Sequence, residues 1–225
     1  MLLQANGLSK VYERGQKPFY AVENVHLNVQ AGDFVSIVGR SGSGKSTFLN
    51  MMTGLLTPSS GTVRLNDVDI YGLDDDKLST LRNKHFGYIP QGSGLLANLT
   101  VFDNLCLPFY LDRYEGTIED RAAFLLAEIE LSHLEKMYPA NLSGGELRRI
   151  MIARALINSP ELIIADEPTS DLDVETTKEI MDLFGRINKQ GTTIVIVTHE
   201  LATVEYGNRV LTMESGQLSE HLHVT

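Results

Sequence analysis

The sequence predicts an α/β domain, a mostly parallel sheet flanked by helices. Two continuous apolar runs, Leu162-Ile163-Ile164-Ala165 and Thr193-Ile194-Val195-Ile196-Val197, suit central parallel strands covered on both faces. A third β-rich run, Phe34-Val35-Ser36-Ile37-Val38, leads into a glycine-rich loop that opens a helix. In open sheets of this kind, ligands gather beyond the carboxyl ends of the strands. A chain of 225 residues is long enough to build such a domain around a proper core.

The elements follow in order. Residues 2–8 and 22–29 alternate apolar and polar positions and read as strands, with Gly15-Gln16-Lys17-Pro18 as the loop between them. A helix is expected from Lys45 to about Thr53, stopped by Gly54. Thr62 to Asn66 is a further strand, residues 74–84 are helical, and Phe86 to Ile89 is a short strand running into Pro90-Gln91. Helices are then expected over 101–112, 118–131 and 144–158. Thr100 and Thr117 read as caps of the first two, each with an acid three residues on. After Pro160 the β/α alternation returns, Asp173 caps a long helix that stops near Gly191, and Glu214-Ser215-Gly216-Gln217 turns between two late strands. A helical insert, about 91–159, therefore interrupts a core formed by about 1–90 and 160–225.

Composition excludes several classes. The net charge of −10 argues against a broad basic surface, so no nucleic-acid partner is expected. The single cysteine, Cys106, forms no internal disulfide and fits a reducing cytosol. The first residues lack the basic and apolar regions of a signal peptide. No apolar run approaches the roughly 18 residues of a membrane span, so a membrane role requires a partner.

Three motifs carry chemistry. Gly39-Arg40-Ser41-Gly42-Ser43-Gly44-Lys45-Ser46 matches the P-loop pattern G-x-x-x-x-G-K-[ST] between a strand and a helix. Its glycines let the backbone approach phosphate, and its N–H groups face the anion with the helix N-terminus, where Thr47 follows. Lys45 is placed for the β- and γ-phosphates, and the Ser46 hydroxyl for Mg²⁺. Asp166 and Glu167 end a buried strand: Asp166 suits the Mg²⁺ shell, and Glu167 suits a general base acting on water. Alone, such a pair is more often a solvated loop; beside a P-loop it becomes a catalytic pair. Leu142-Ser143-Gly144-Gly145-Glu146 has the form of a capping box. A cap does not explain two glycines in a first helical turn, where each costs about 1 kcal/mol. Bare N–H groups at a positive helix end do suit an anion.

Over nearly its full length the chain resembles the nucleotide-binding subunit of ATP-binding cassette transporters. Leu142 to Glu146 resembles the family signature, with Glu where Gln is more usual. Gln91 looks like the glutamine that joins the catalytic site to the helical subdomain, and is expected on the metal as well. His199 resembles the histidine that contacts the γ-phosphate. Ser170, Asp171, Leu172 and Asp173 resemble the loop that crosses the dimer interface, although Asp171 replaces a residue that is commonly small. Tyr12 looks like the aromatic that stacks on adenine, with Phe19 and Tyr20 as competitors.

The resemblance implies a P-loop NTPase core with an N-terminal antiparallel β subdomain and a helical subdomain between the P-loop and the acidic strand. It implies ATP and Mg²⁺, and a homodimer in which each signature motif completes the partner's ATP site. An integral membrane permease is the implied partner, with the subunit on the cytoplasmic face of the membrane. Residues 88–111 are similar to the macrolide-exporter and lipoprotein-release branch. Leu95, Leu96, Leu99, Phe102, Leu107 and Phe109 lie near the expected dock for the permease, unless they are helical core. A regulator of cell-wall enzymes and a non-transport cassette protein are the alternatives.

Overall fold

The apolar runs occupy the middle of a six-stranded sheet, and their two faces are buried against different partners. In the computed structural model, strands β3 (Phe34–Val38), β7 (Leu162–Asp166) and β8 (Thr193–Thr198) are buried along their whole length. The structure describes residues 1–225 except 16, 93, 112–116 and 222–225. Successive strand side chains point to opposite faces. Leu162, Ile164, Val195 and Val197 accordingly join one apolar cluster, with Phe48 and Leu49 of helix α1 (Lys45–Met52). Ile163, Ala165, Ile194 and Ile196 join a second cluster on the other face. A continuous apolar run is thus two interleaved period-2 patterns, one for each covering layer.

The first covering layer is α1 and an antiparallel sheet of order β2-β1-β4-β5. Its strands are β1 (Leu3–Arg14), β2 (Lys17–Val29), β4 (Ser60–Leu65) and β5 (Val68–Asp69). β1 and β2 are longer than expected. They pair from Leu3↔Val29 to Arg14↔Lys17, so Lys17 and Pro18 of the expected loop belong to a strand. Gln16 of that loop lies outside the described residues. The register shifts at Ala5/Leu8, Leu8/Lys10 and Lys10/Val11 break the apolar alternation, which hides the strand's extension in the sequence.

The main sheet has the order β10-β9-β3-β8-β7-β6. β6 (Phe86–Ile89), β7, β8, β3 and β9 (Arg209–Glu214) run parallel, and β10 (Gln217–His221) pairs antiparallel with β9. Helix α2 (Asp75–His85) precedes β6, capped by the Asp74 carboxylate on Lys77 N–H. The second covering layer holds α3 (Val101–Leu111), α4 (Glu119–Glu128), α5 (Gly144–Leu156) and α6 (Val174–Lys189). Thr100 and Asp103 cap α3 reciprocally, and its expected end at residue 112 lies outside the described residues. The expected Thr117 cap is not made: Ile118 is the N-cap of α4, with no side-chain bond. α4 and α5 also end earlier than expected, just before Glu130 and Ser159 turn to φ 62° and 52°. Cys106 is buried in the second cluster, and burial pushes its thiol up to about 11, aided by Asp103 and Glu119.

Candidate functional site

The P-loop is clamped between two stretches of backbone. A Cβ on Gly39 would lie 2.3 Å from the Met213 carbonyl oxygen, and one on Gly44 would lie 2.1 Å from the Ala21 carbonyl oxygen. Gly44 also holds φ 108° at the N-cap of α1. Only glycine combines that close approach with a left-handed backbone. As Gly44 has no side chain, the first turn of α1 has no side-chain cap, and it carries no acid. Its N–H groups and the positive helix end remain available to an anion.

Lys45 is 6% exposed and sits within the loop. Its Nζ donates to the Gly39 carbonyl at 2.7 Å and the Arg40 carbonyl at 3.3 Å, and lies 3.3 Å from Glu167 Oε1. Glu167 is buried at the end of β7 with φ 49°. Its other oxygen, Oε2, is 2.8 Å from His199 Nδ1 and 3.2 Å from the His199 backbone N–H. The parallel pairing of β7 with β8 delivers both residues to the same edge. Positive φ in a non-glycine residue is costly and clusters at functional sites.

Asp166 lies one residue earlier, as the last residue of β7. Burial raises its carboxyl above the usual range, the Ser46 hydroxyl opposes that shift by hydrogen bonding, and the Glu167 charge adds to it. Asp166 Oδ1 is buried and without a hydrogen-bond partner among the described residues. A cleft of about 370 Å³ is lined by Ser41, Gly42, Lys45, Ser46, Gln91 and Glu167, whereas Asp166 and His199 stand behind that lining. Gly44 and Thr47 line it as well, while Gly39, Arg40 and Ser43 shape the loop, with Arg40 and Ser43 lining an adjoining hollow.

At the far end of the cleft stand Tyr12 and Phe19, which face each other across the β1–β2 pair. Tyr20, on the opposite strand face, does not line it. The sequence reading singles out Tyr12 and ranks Phe19 as a competitor; the hairpin register puts both there. Ala21 also lines the cleft, two residues on from Phe19 on the same strand face, which the period-2 alternation of β2 points to.

Leu142 to Glu146 do not line this cleft. Ser143 caps α5: its Oγ accepts from Glu146 N–H at 3.3 Å, and Glu146 Oε2 accepts from Ser143 N–H at 2.7 Å. Gly145 has a packing reason beyond an anion site, while Gly144 has room for a Cβ. A Cβ on Gly145 would lie 2.7 Å from Thr176 Cγ2, and one on Gly144 would touch Leu172 Cδ2 at 3.4 Å. Ser170, Asp171, Leu172 and Asp173 form the turn between Glu167 and α6, with Asp173 capping that helix through Glu175 and Thr176 N–H. Asp171 holds φ 66°, and its charge acts on the buried Arg148 of α5.

Comparison with known proteins decides the family. A family model described as ABC transporter matches residues 22–170. The chain belongs to the ABC transporter family. This ABC chain is 38% identical over 224 residues to the uncharacterized ABC transporter ATP-binding protein MJ0796 of Methanocaldococcus jannaschii, covering 96% of the chain and 95% of the relative. It is 37% identical over 216 residues to the macrolide export ATP-binding/permease protein MacB of a Shewanella species, covering 96% of the chain but 33% of the relative. The chain thus spans about a third of the length of that export protein. A solved dimer of MJ0796, described as a post-hydrolysis state bound to ADP and Pi, superposes with a TM-score of 0.90 at 37% identity, over 98% of both chains.

Proposed function

We propose that this chain is the ATP-hydrolysing subunit of an ABC transporter and powers a separate membrane permease. The reading rests on one observation above others: Glu167 is fixed between Lys45 and His199 beside a P-loop cleft. The N–H groups of α1, with Lys45, hold the β- and γ-phosphates of ATP. Tyr12 or Phe19 packs on the base. Glu167 takes a proton from water aimed at the γ-phosphate, and His199 orients that carboxylate. Gln91 lines the opposite wall.

Mg²⁺ fits the residues present. Asp166 offers a buried, unpartnered oxygen beside the Ser46 hydroxyl, and Gln91 lies on the same cleft. Among the described residues no group of three His, Cys, Asp or Glu side chains could cage a metal. Mg²⁺ held partly by phosphate oxygens needs no such cage. Bound there, it would neutralise charge on the phosphates.

Two copies form the working unit. Ser143, Gly144 and Gly145 present a phosphate-binding helix end outside the cleft of their own chain, so they serve the cleft of a second copy. The dimeric state described for MJ0796 supports this. The fused ATP-binding/permease arrangement named for MacB supports a permease partner, and its branch favours export or extraction of a lipophilic or peptide cargo. Among the described residues no helix is long and apolar enough to cross a membrane. Leu95, Phe102 and Phe109 pack against the second core cluster. Exposed Leu55, Leu96 and Leu111 are the better candidates for the permease contact. The test is Mg²⁺-dependent phosphate release by the purified chain, with identification of the membrane protein that co-purifies; absence of ATP turnover in the copurified complex would sink the reading.

A further inference from the structure

Glu146 does more than close a capping box. Its Oε2 accepts from Ser143 N–H at 2.7 Å and also from the Ser143 hydroxyl at 2.8 Å. A serine hydroxyl carries one proton. In this arrangement that proton is given to Glu146, so an incoming phosphate finds the hydroxyl already spent. A carboxylate has acceptors only, whereas the amide of a glutamine could accept from Ser143 N–H and still donate. The bonds from Ser143 also hold the Glu146 carboxyl below its ordinary range, with Arg149 and His133 adding to the effect. Arg149 does not neutralise it alone, because its guanidinium also lies 3.8 Å from Glu179.

We propose that Glu146 is a positioning residue: it holds the Ser143 hydroxyl and places negative charge beside the phosphate-binding helix end, and so sets the ATP level at which two copies close. The inference rests on the shared-site reading given above. Closure then requires Ser143 to exchange a carboxylate acceptor for a phosphate oxygen. It also brings the Glu146 charge close to the ATP anion. Both effects raise the ATP requirement and favour reopening once the phosphate bridge is cut.

The test follows dimer formation against ATP concentration by analytical ultracentrifugation, in Glu167→Gln and in Glu167→Gln/Glu146→Gln. Glutamine keeps the capping box, so thermal unfolding of the two proteins should coincide. The second protein is expected to dimerise at about one-tenth of the ATP concentration. An equal or higher ATP requirement overturns the proposal. Adding Ser143→Ala should shrink the gain from Glu146→Gln, and an undiminished gain overturns the claim that Glu146 acts through Ser143. If neither background dimerises with ATP, the shared site itself fails and this inference fails with it. A dimer that forms but ignores residue 146 removes only this inference.

Discussion

Glu167 and His199 are joined twice: the ring Nδ1 lies 2.8 Å from Glu167 Oε2, and the His199 backbone N–H reaches the same oxygen at 3.2 Å. A carboxylate oxygen only accepts, so the proton of the ring contact sits on Nδ1. The other oxygen, Oε1, stays beside Lys45. Replacing Glu167 with Gln preserves the size and much of the hydrogen bonding but removes the base. Phosphate release is expected to fall at least about 100-fold. ATP should then hold the variant as a dimer on size exclusion. Retained turnover at the wild-type rate would show that another group activates water.

Asp166 gives a pH signature. Its carboxyl is raised above the ordinary range by burial, so protonation begins at a higher pH than for an exposed carboxylate. The charged form is the one that suits a cation, so the Mg²⁺ needed for half-maximal activity should rise as pH falls toward the raised value. For folding the sign is opposite. A raised folded pKa means that the folded chain binds the proton more tightly, so this group favours folding at low pH and opposes it as pH rises through that value. Asp166→Asn should therefore abolish turnover yet raise the urea midpoint at neutral pH.

Ser143→Arg places a long cation where the signature helix should receive phosphate. Hydrolysis should be lost while ATP binding by the single chain, read by isothermal titration, stays within about threefold. Loss of both in parallel would show that Ser143 serves its own chain's fold rather than a second copy's nucleotide.

Gly44→Ala is a backbone test. The added carbon would meet the Ala21 carbonyl oxygen at 2.1 Å, at a residue with φ 108°. The strain costs on the order of 1–3 kcal/mol, so the midpoint of denaturation should drop and nucleotide binding with it. An unchanged midpoint would mean that the loop can move away from β2.

Arg148 and Asp171 should be coupled. Arg148 is 6% exposed, its Nη1 donates to the Gly92 carbonyl at 3.4 Å, and Asp171 is the charge that raises its pKa against burial. Arg148→Gln and Asp171→Ala should each slow turnover, and the double variant should lose less than the sum, with a coupling of about 0.5–1 kcal/mol. Strict additivity would make Asp171 a bystander.

The parts of this fold that repeat a local rule could be read directly. The β3 loop α1 sequence, the caps at Thr100 and Asp173, and the covered strands β7 and β8 each follow from a few adjacent residues. What escaped depends on distant pairing. The bulges in β1 interrupt its alternation, and only the partner strand reveals that residues 9–14 continue it. Phe19 enters the cleft because it pairs with Tyr12, which no single strand announces. The packing role of Gly145 needs Thr176, thirty-one positions later in the chain, to be seen at all.

That last contact has a wider meaning. The turn that leaves Glu167 is tied by Ser170 N–H and Oγ to the Glu167 carbonyl, then lays Leu172 beside Gly144 and packs Thr176 on Gly145 with no gap there for a side chain. If Glu167 is the base and α5 meets the neighbour's ATP, as proposed, the two are linked through one short, packed turn. In a closed pair of that kind, the grip on one nucleotide would reach the base that acts on the other. Cooperation between the two ATPs would then need no effector and no third subunit, only the missing side chain of Gly145.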